Sequence, residues 1–453
     1  MINGSFKGRF LKKIFLYLKV ARFSKIGLMA KKIIEPIKGT RDFYPQDQAW
    51  QNWLYNKARI VSQSFGYQEY EGPVLEPFSL YAAKSSEEII NKQSFVISAK
   101  NKTVQDNLIL RPELTPTLAR MVASKEYQLV FPLRWWSWGR FFRYEAPQKG
   151  RGREFYQWNL DLLGQDCPNA DAEVITIGIR FLSSLGFTSN EIVVKVNDRK
   201  YLDEKLKIIG IADRKKLAVF RLIDKKDKVS TSDFQAMLSE EGLTKLQAQD
   251  LCLALKDTDY SGESAWLTEL FSSLSDLGVD DWVEFDQTIV RGFDYYTDTV
   301  FEAQSKNNQG RALFGGGRYQ NLVANVGGRR NIGGVGLAVG DMMIREALAD
   351  LNCLPILSSL TAQVLVTVFN EELFRHSLLV ADQLRKAGIN IETYLDYQTP
   401  LAKQLDYANK KKITKVIIIG PEEAVVDKVT IKNLSSGQQK LVKQKDLISE
   451  LKK

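Results

Sequence analysis

Residues 133–164 read LRWWSWGRFFRYEAPQKGRGREFYQWNLDLLG. Two runs rich in aromatic and aliphatic residues flank a proline- and glycine-bearing loop, the pattern of two antiparallel strands joined in a hairpin. Side chains alternate faces along a strand. Arg143 and Glu145 are therefore expected on one face of the first strand, with Phe142 and Tyr144 on the other. In the second strand Phe155, Gln157, Asn159 and Asp161 share a face, opposite Tyr156, Trp158 and Leu160. Each strand thus offers one polar face with a single aromatic residue and one bulky apolar face. The loop APQKGRGRE carries Gln148, Lys149, Arg151 and Arg153 together with two glycines. A flexible basic tip above a polar floor suits a polyanion such as ATP or RNA. The alternation is equally compatible with a surface hairpin that has one solvated side.

Outward from this hairpin, GYQEYEGPVLE (66–76) and NLILRPELTP (107–116) are further short strand-like runs broken by Gly and Pro. Strands met in this way indicate an antiparallel sheet rather than repeated βαβ units. A helical pattern surrounds Trp50–Phe65, another spans Ala172–Leu185, and a strand is expected at Ile192–Val196. From Arg199 to Asp281 the chain changes to amphipathic helices with polar turns, as in TSDFQAMLSEEGLTKLQAQDLCLAL (231–255). Strands return at QTIVRGFDYYTDTVFEA (287–303). After Thr361 strand AQVLVTVF, helix ELFRHSLLVADQLRKAG, strand INIETYL, helix PLAKQLDYANKK and strand KVIIIG alternate, which are βαβ units of a small parallel domain. A basic-rich helix is expected near Lys443–Lys453. The division is a basic extension (1–28), a discontinuous first domain (29–198 and 282–350), a helical insertion (199–281), a linker (351–360) and a terminal α/β domain (361–453).

Composition narrows the chemistry. The chain has 453 residues, 44% hydrophobic and 26% charged, enough apolar mass for several cores. No run reaches the roughly 18 uninterrupted apolar residues a membrane-spanning helix needs, so a soluble, cytoplasmic protein is expected. Cys167, Cys252 and Cys353 are too far apart for a metal knuckle and fit a reducing compartment. A single histidine, His376, excludes His-based zinc clusters and Ser-His-Asp triads; on its helix it reads as a surface or packing residue. No metal-ligating residue is assigned. Of the net charge of +9, seven positive charges and no acid lie in residues 1–28, leaving +2 for the remainder. That extension is sequence upstream of a start at Met29, an organelle-targeting segment, or an RNA- or membrane-surface arm.

Three further clusters can carry chemistry. In RPELTPTLAR (111–120) Thr115 fits a helix N-cap followed by proline, and Glu113 points from a strand end where it can accept from an amine. In VRGFDYYTDTVFE (290–302) regular alternation puts Arg291 and Tyr296 on opposite faces, so a shared site requires a bend, with Gly292 available for it. GGGRYQ (315–320) and NIGGVGLAVGD (331–341) match no phosphate-binding glycine motif and read as tight turns or close packing.

KGTRDFYP, RPELTPTLAR, FFRYEAPQKGRGREFYQWNLD, VRGFDYYTDTVFE and GGGRY, in this order, resemble the motifs of histidyl-tRNA synthetases, class II aminoacyl-tRNA synthetases, from about Lys38 to the C-terminus. The resemblance implies an α+β protein: an antiparallel-sheet catalytic domain with a helical insertion, and a C-terminal α/β anticodon-binding domain. It implies ligation of L-histidine to tRNA(His) through a histidyl-adenylate, with ATP and Mg²⁺, by a homodimer formed around Gly72–Glu76. By position, Arg143 would hold the α-phosphate, and Glu145 and Phe155 would meet the adenine. Glu113, Thr115 and Gln157 would hold the substrate amino group. Asp161 and Tyr296, with Tyr319 nearby, would read the imidazole, and Arg291 would bridge the carboxylate and α-phosphate. Gln148, Lys149, Arg151 and Arg153 would serve tRNA or phosphate.

Two departures stand out. Asp161 occupies a position where many members have Glu, and Met342-Met343, after Asp341, replace the usual Glu-Arg of the third class motif. Without that arginine, the charge of the β- and γ-phosphates falls to Mg²⁺, Arg151 or Arg153, Arg318, or Arg345. Two rival readings are a silent histidine-sensing regulatory subunit of ATP phosphoribosyltransferase and an RNA-binding regulatory module. The intact Arg143 and Arg291 and the terminal domain argue against the first.

Overall fold

The computed structural model describes residues 33–82, 93–98, 107–226, 229–260, 262–290, 295–306 and 312–452. Two compact units result. One is Ser62–Ala347 with the described residues up to Asp42; the other is Phe43–Val61 with Leu348–Lys453. Phe43–Val61, which carries most of helix α1 (Pro45–Ser64), lies within the stretch assigned above to the first domain and groups with the second. The basic extension, residues 1–28, lies outside the described residues, as does Arg291.

The strands of the first unit are, in chain order, β1 (Gln68–Glu69), β2 (Leu75–Pro77), β3 (Phe95–Ile97), β4 (Leu108–Leu110), β5 (Leu133–Phe142), β6 (Glu154–Leu163), β7 (Ile192–Asp198), β8 (Val283–Phe285), β9 (Thr299–Ser305), β10 (Ala312–Tyr319) and β11 (Gly334–Gly340). Among the described residues they form an eight-stranded sheet in the order β1-β5-β6-β11-β10-β9-β7-β8 and a three-stranded sheet β2-β4-β3. Within the large sheet β1 and β8 pair in parallel with their neighbours and the remaining pairs are antiparallel. The hairpin β5–β6 runs in register from Leu133↔Leu163 to Phe142↔Glu154.

One difference from the sequence reading concerns the hairpin's end. β5 stops at Phe142, so Arg143 and Glu145 lie beyond the ladder. The chain turns there because the Glu145 amide donates back to the Arg143 carbonyl at 2.8 Å, and Pro147 has no N–H to extend the pairing. A second concerns helix α2 (Thr115–Lys125): its N-cap is Leu114, and Thr115 is already the first helical residue, with no side-chain cap.

One face of the large sheet is apolar and covered by helix α3 (Pro168–Ser184). Pro168 follows an extended Cys167, the preferred start for a proline. The helix ends at Gly186, at φ +101°, where the Phe187 amide reaches the Leu182 carbonyl. Trp158 of β6 packs on Phe181 with ring centres 4.7 Å apart. Helices α4 (Arg199–Ile208), α5 (Asp213–Ile223), α6 (Thr231–Glu240) and α7 (Lys245–Ala254) bury their own core of Leu206, Val219, Phe234, Leu238 and Leu251. A capping box, Thr244 with Gln247, starts α7. Helix α8 (Ala265–Asp276) instead joins the apolar side of the sheet: Trp266 Nε1 donates to Thr299 Oγ1 at 2.9 Å and to Asp171 Oδ2 at 3.2 Å.

Asp171 of α3 is the centre of this junction. Arg318 of β10 grips it through Nη2 at 2.7 Å and Nε at 3.0 Å, and both side chains are fully buried. The remaining Arg318 donors reach the Gln165 and Cys167 carbonyls at 2.8 and 3.1 Å. Burial raises the Asp171 carboxyl above its usual range, opposed by Arg318.

The second unit contains helix α9 in part (Asp341–Asp350), strands β12 (Val364–Val366), β13 (Ile391–Thr393), β14 (Lys415–Ile418), β15 (Lys428–Asn433) and β16 (Gln439–Lys443), and helices α10 (Glu371–Lys386) and α11 (Leu401–Lys410). The sheet order is β13-β12-β14-β15-β16. The expected βαβ units are present as parallel β13-β12-β14, but β15 and β16 extend the sheet antiparallel, so the domain is mixed. The helix expected over Lys443–Lys453 is reduced to Leu447–Leu451. His376 sits on α10, its Nε2 2.6 Å from Gln444 Nε2.

Removing one member of a fully buried ion pair strands the other charge, at a cost of about 3–5 kcal/mol. Arg318→Met is therefore expected to lower unfolding free energy on that scale in urea titration. A loss below about 1 kcal/mol would mean that the pair does not hold the layers together.

Candidate active site

The opposite face of the large sheet is polar and opens into a cavity of about 930 Å³. Its floor is the face of β6 carrying Phe155, Gln157, Asn159 and Asp161, as the alternation predicts, next to Gly336, Ala338 and Gly340 of β11. Arg143 and Glu145 enter from the turn after β5, and Glu113 and Thr115 from the start of α2. Tyr295, Tyr296 and Tyr319 line the wall beside Asp161.

The wall is made by residues of opposite habit. Tyr319 is buried and donates to Asp161 Oδ1 at 2.8 Å. Asp161 is only 5% exposed. Gly336 makes the room: a Cβ there would fall on Asp161 Oδ1. Tyr295 donates to Glu113 Oε2 at 3.0 Å, and burial, reinforced by Glu113, pushes its hydroxyl well above the usual range. Tyr296 lies over Gly317, where a Cβ would meet its ring at 2.7 Å. Gly316 and Gly317 of GGGRY and Gly334 and Gly336 of β11 thus serve close packing in strands, not turns. Arg143 donates through Nε to the Pro112 carbonyl at 3.0 Å and lies 5.2 Å from the centre of the Phe155 ring. Polar and aromatic groups therefore flank one wall, with a buried carboxylate at the far end.

Of the hairpin tip, Arg151 lines the cavity and pairs with Glu145 at 3.5 Å. Gln148, Lys149 and Arg153 do not line it: Lys149 pairs with Glu346 at 3.3 Å, and Arg153 donates to the Glu145 carbonyl with its guanidinium 4.3 Å from the Tyr144 ring centre. Met342 and Met343, the pair that departs from the third class motif, line the cavity. Asp341 before them is committed elsewhere, accepting from Arg41 at 2.8 Å and from the Tyr156 amide at 2.9 Å. Arg318 is withdrawn from the phosphate candidates, since all its donors are spent on Asp171 and the 165–167 loop on the other side of the sheet. Arg345 is exposed and does not line the cavity.

Tyr295 and Gly336 were not singled out from the sequence. Tyr295 sits in a loop, where period-two reasoning gives no side. Gly336 looked like any glycine in a glycine-rich strand, and only the register opposite Asp161 reveals its use.

This geometry meets its relatives over almost the whole chain. Residues 39–342 match the family model described as histidyl-tRNA synthetase, and residues 363–453 match that of an anticodon binding domain. The histidine–tRNA ligase of Leptospira biflexa is 34% identical over 421 residues, covering 90% of this chain and 95% of that protein. The chloroplastic/mitochondrial histidine–tRNA ligase of Arabidopsis thaliana is 35% identical, covering 92% of this chain and 87% of its own. The chain belongs to the histidyl-tRNA synthetase family. A crystal structure of histidyl-tRNA synthetase from Nostoc sp. PCC 7120 superimposes with a TM-score of 0.76 at 25% identity, covering 93% and 99% of the two chains. A Bacillus halodurans structure described as an ATP phosphoribosyltransferase regulatory subunit/histidyl-tRNA synthetase shares the fold, with a TM-score of 0.69 at 23% identity, over 86% of this chain and 99% of that one.

Burial pushes the Asp161 carboxyl up to about 7, against the donated Tyr319 hydroxyl that favours its charged form. In the unfolded chain an aspartate titrates near ~4. Between these values the folded protein holds the extra proton, so this group's contribution to stability is full below about pH 4 and is lost as pH rises through about 7. Relative to Asp161→Asn, the wild type should lose on the order of 2 kcal/mol between about pH 5 and about pH 8 in urea unfolding. A pH-independent difference would show a carboxylate already ionised in the folded state.

Proposed function

We propose that this protein ligates L-histidine to tRNA(His) at the expense of ATP, through a histidyl-adenylate. The observation that carries the reading is the buried Asp161–Tyr319 pair at one end of a cavity whose other end holds Arg143 and Phe155, in a chain of this family. Glu113, Thr115 and Gln157 bind the substrate amino group, and Asp161 and Tyr296, beside Tyr319, read the imidazole. Phe155 stacks on the adenine, Glu145 meets its edge, and Arg143 holds the α-phosphate. Arg291 bridges that phosphate and the histidine carboxylate.

In the first step a carboxylate oxygen of histidine bonds to the α-phosphorus while the bond to the β-bridging oxygen breaks, and pyrophosphate departs. No proton has to move. Negative charge shifts on phosphate oxygens, so positioning and fixed cations supply the catalysis. Arginines do this without a titrating base, which suits a chain with one histidine outside the cavity. In the second step a terminal ribose hydroxyl of tRNA attacks the activated carbonyl, the bond from that carbon to the AMP phosphate oxygen breaks, and the hydroxyl proton leaves with AMP. Mg²⁺ brought in with ATP would supply positive charge that favours departure of pyrophosphate.

The terminal domain supplies RNA contacts. Its match to an anticodon-binding model disfavours the silent regulatory reading. The enzyme works as a homodimer; support comes from the three-stranded sheet, on or beside which Val74, Leu75, Val96 and Ile97 are exposed. All three cysteines are unpaired, in keeping with a cytoplasmic enzyme.

Histidine-dependent exchange of pyrophosphate into ATP tests the reading. Wild-type protein should show it, and Asp161→Ala should raise the histidine KM far more than the ATP KM, the discrimination expected when a buried polar partner is lost. Equal losses for both substrates would contradict the imidazole assignment. The hairpin tip is tested in the same assay. If Arg151 and Arg153 stand in for the arginine replaced by Met343, Arg151→Ala with Arg153→Ala should raise the ATP KM about tenfold or more without tRNA present. An effect confined to tRNA charging would assign the tip to RNA alone.

A further inference from the structure

The amino-acid end of the cavity contains polar groups that the roles above leave unused. Asn159 lies between Gln157 and Asp161 on the cavity face of β6 and is 5% exposed. Ser137 of β5 is its direct cross-strand partner and is fully buried. Residues so paired project their side chains to the same face. Among the described residues neither Asn159 Nδ2 nor Ser137 Oγ has a hydrogen-bond partner. A third such group is the Tyr70 hydroxyl, whose ring packs at 5.3 Å on Trp135, the residue paired with Asp161. Leaving a buried donor or acceptor unsatisfied costs about 1–3 kcal/mol, so two on facing residues of a paired ladder are a standing penalty unless something in the cavity meets them.

We infer that Asn159 is a further specificity-determining residue for the amino acid. Its amide and the Ser137 hydroxyl hydrogen bond the bound histidine, directly or through one water trapped beneath it. The position suits this task. The neighbours on the same face, Gln157 and Asp161, are assigned to the two polar ends of the substrate, and Asn159 lies under the stretch between them. The opposite neighbour in β11 is Ala338, which cannot supply a polar partner. A substrate whose polar atoms complete this pair is favoured over an apolar one of the same shape, which would leave both groups unpaired. The inference rests on the histidine-ligase reading and adds a residue to it.

The test uses the full-length protein, histidine-dependent pyrophosphate exchange and thermal unfolding with and without histidine. Asn159→Leu keeps the branched shape, with somewhat larger methyl groups, and removes both polar atoms. It should raise the histidine KM about tenfold, leave the ATP KM within about twofold, and shrink the histidine-induced rise in Tm. Without histidine its Tm should equal or exceed that of the wild type, because an unsatisfied group has been removed. Ser137→Ala should shift the histidine KM in the same direction and less. A histidine KM within twofold of wild type in Asn159→Leu overturns the inference, as does an equal rise for ATP. So does a lower Tm without histidine, which would show a structural role. Absence of exchange in the wild type would sink the parent reading instead, so the two failures are told apart.

Discussion

Arg318 and Tyr319 are successive residues of one strand, and the alternation of β10 sends them to opposite faces of the sheet. Arg318 clamps Asp171, and with it α3, α8 and the 165–167 loop. Tyr319 holds Asp161. The two side chains share one backbone, so the lock on one face also constrains the position of the hydroxyl on the other. The layer that has to be immobile and the carboxylate that has to be aimed are therefore joined through a single peptide unit. A lone buried ion pair is a poor source of stability. This one is closed on every side by Thr299, Trp266 and two backbone carbonyls, which leaves it geometrically unique.

The same alternation explains why the centre of the sheet is glycine-rich. On the helix side a Cβ at Gly316 would strike the Gly336 carbonyl and the Phe301 ring; on the cavity side one at Gly336 would strike Asp161. Side chains are omitted where the ladder is most crowded, and the space goes to the large rings of Phe301, Tyr296 and Tyr319. Among the described residues Asp161 is thereby buried without a cationic partner in hydrogen-bond contact, and burial raises its titration. A carboxyl held in this state responds strongly to a ligand that offers it an N–H.

These arrangements were legible in the sequence to different depths. The run FYQWNLD sits inside a regular ladder, so period-two reasoning placed Gln157, Asn159 and Asp161 correctly. Its premise of a continuous strand ends at Phe142, where a turn at Arg143–Glu145 follows, although both of those side chains still line the cavity. The antiparallel β15–β16 pair was missed because KVTIKN and QKLVK are short and half polar, with no apolar run to mark them. Arg318 was misjudged for a different reason. An arginine in a glycine-rich motif reads as a phosphate ligand, and its partner Asp171 lies 147 residues away on a helix, a distance that pattern reading does not span. Tyr295 and Gly336 depend on register and loop path, which are tertiary facts.

The replacement of the class arginine by Met343 bears on how charge is distributed along the cavity. Arg143 and Arg151 both line it, and of the two Arg151 is paired with an acid, Glu145. Arg151 is 61% exposed in its side chain and 3.5 Å from Glu145, a pair worth little in water-accessible surroundings. A triphosphate offers far more negative charge than one carboxylate, so Arg151 can exchange partners at small cost. Glycines on both sides of Arg151 let the tip move, whereas Arg143, held to the Pro112 carbonyl and against Phe155, stays. The methionines add no charge but are pliable and polarizable, and Met342 already lies against Gly152. Among the described residues the arginines lining this cavity thus stand on the hairpin and the turn before it rather than on the helix that follows β11, while the buried Asp161–Tyr319 pair is held between two strands.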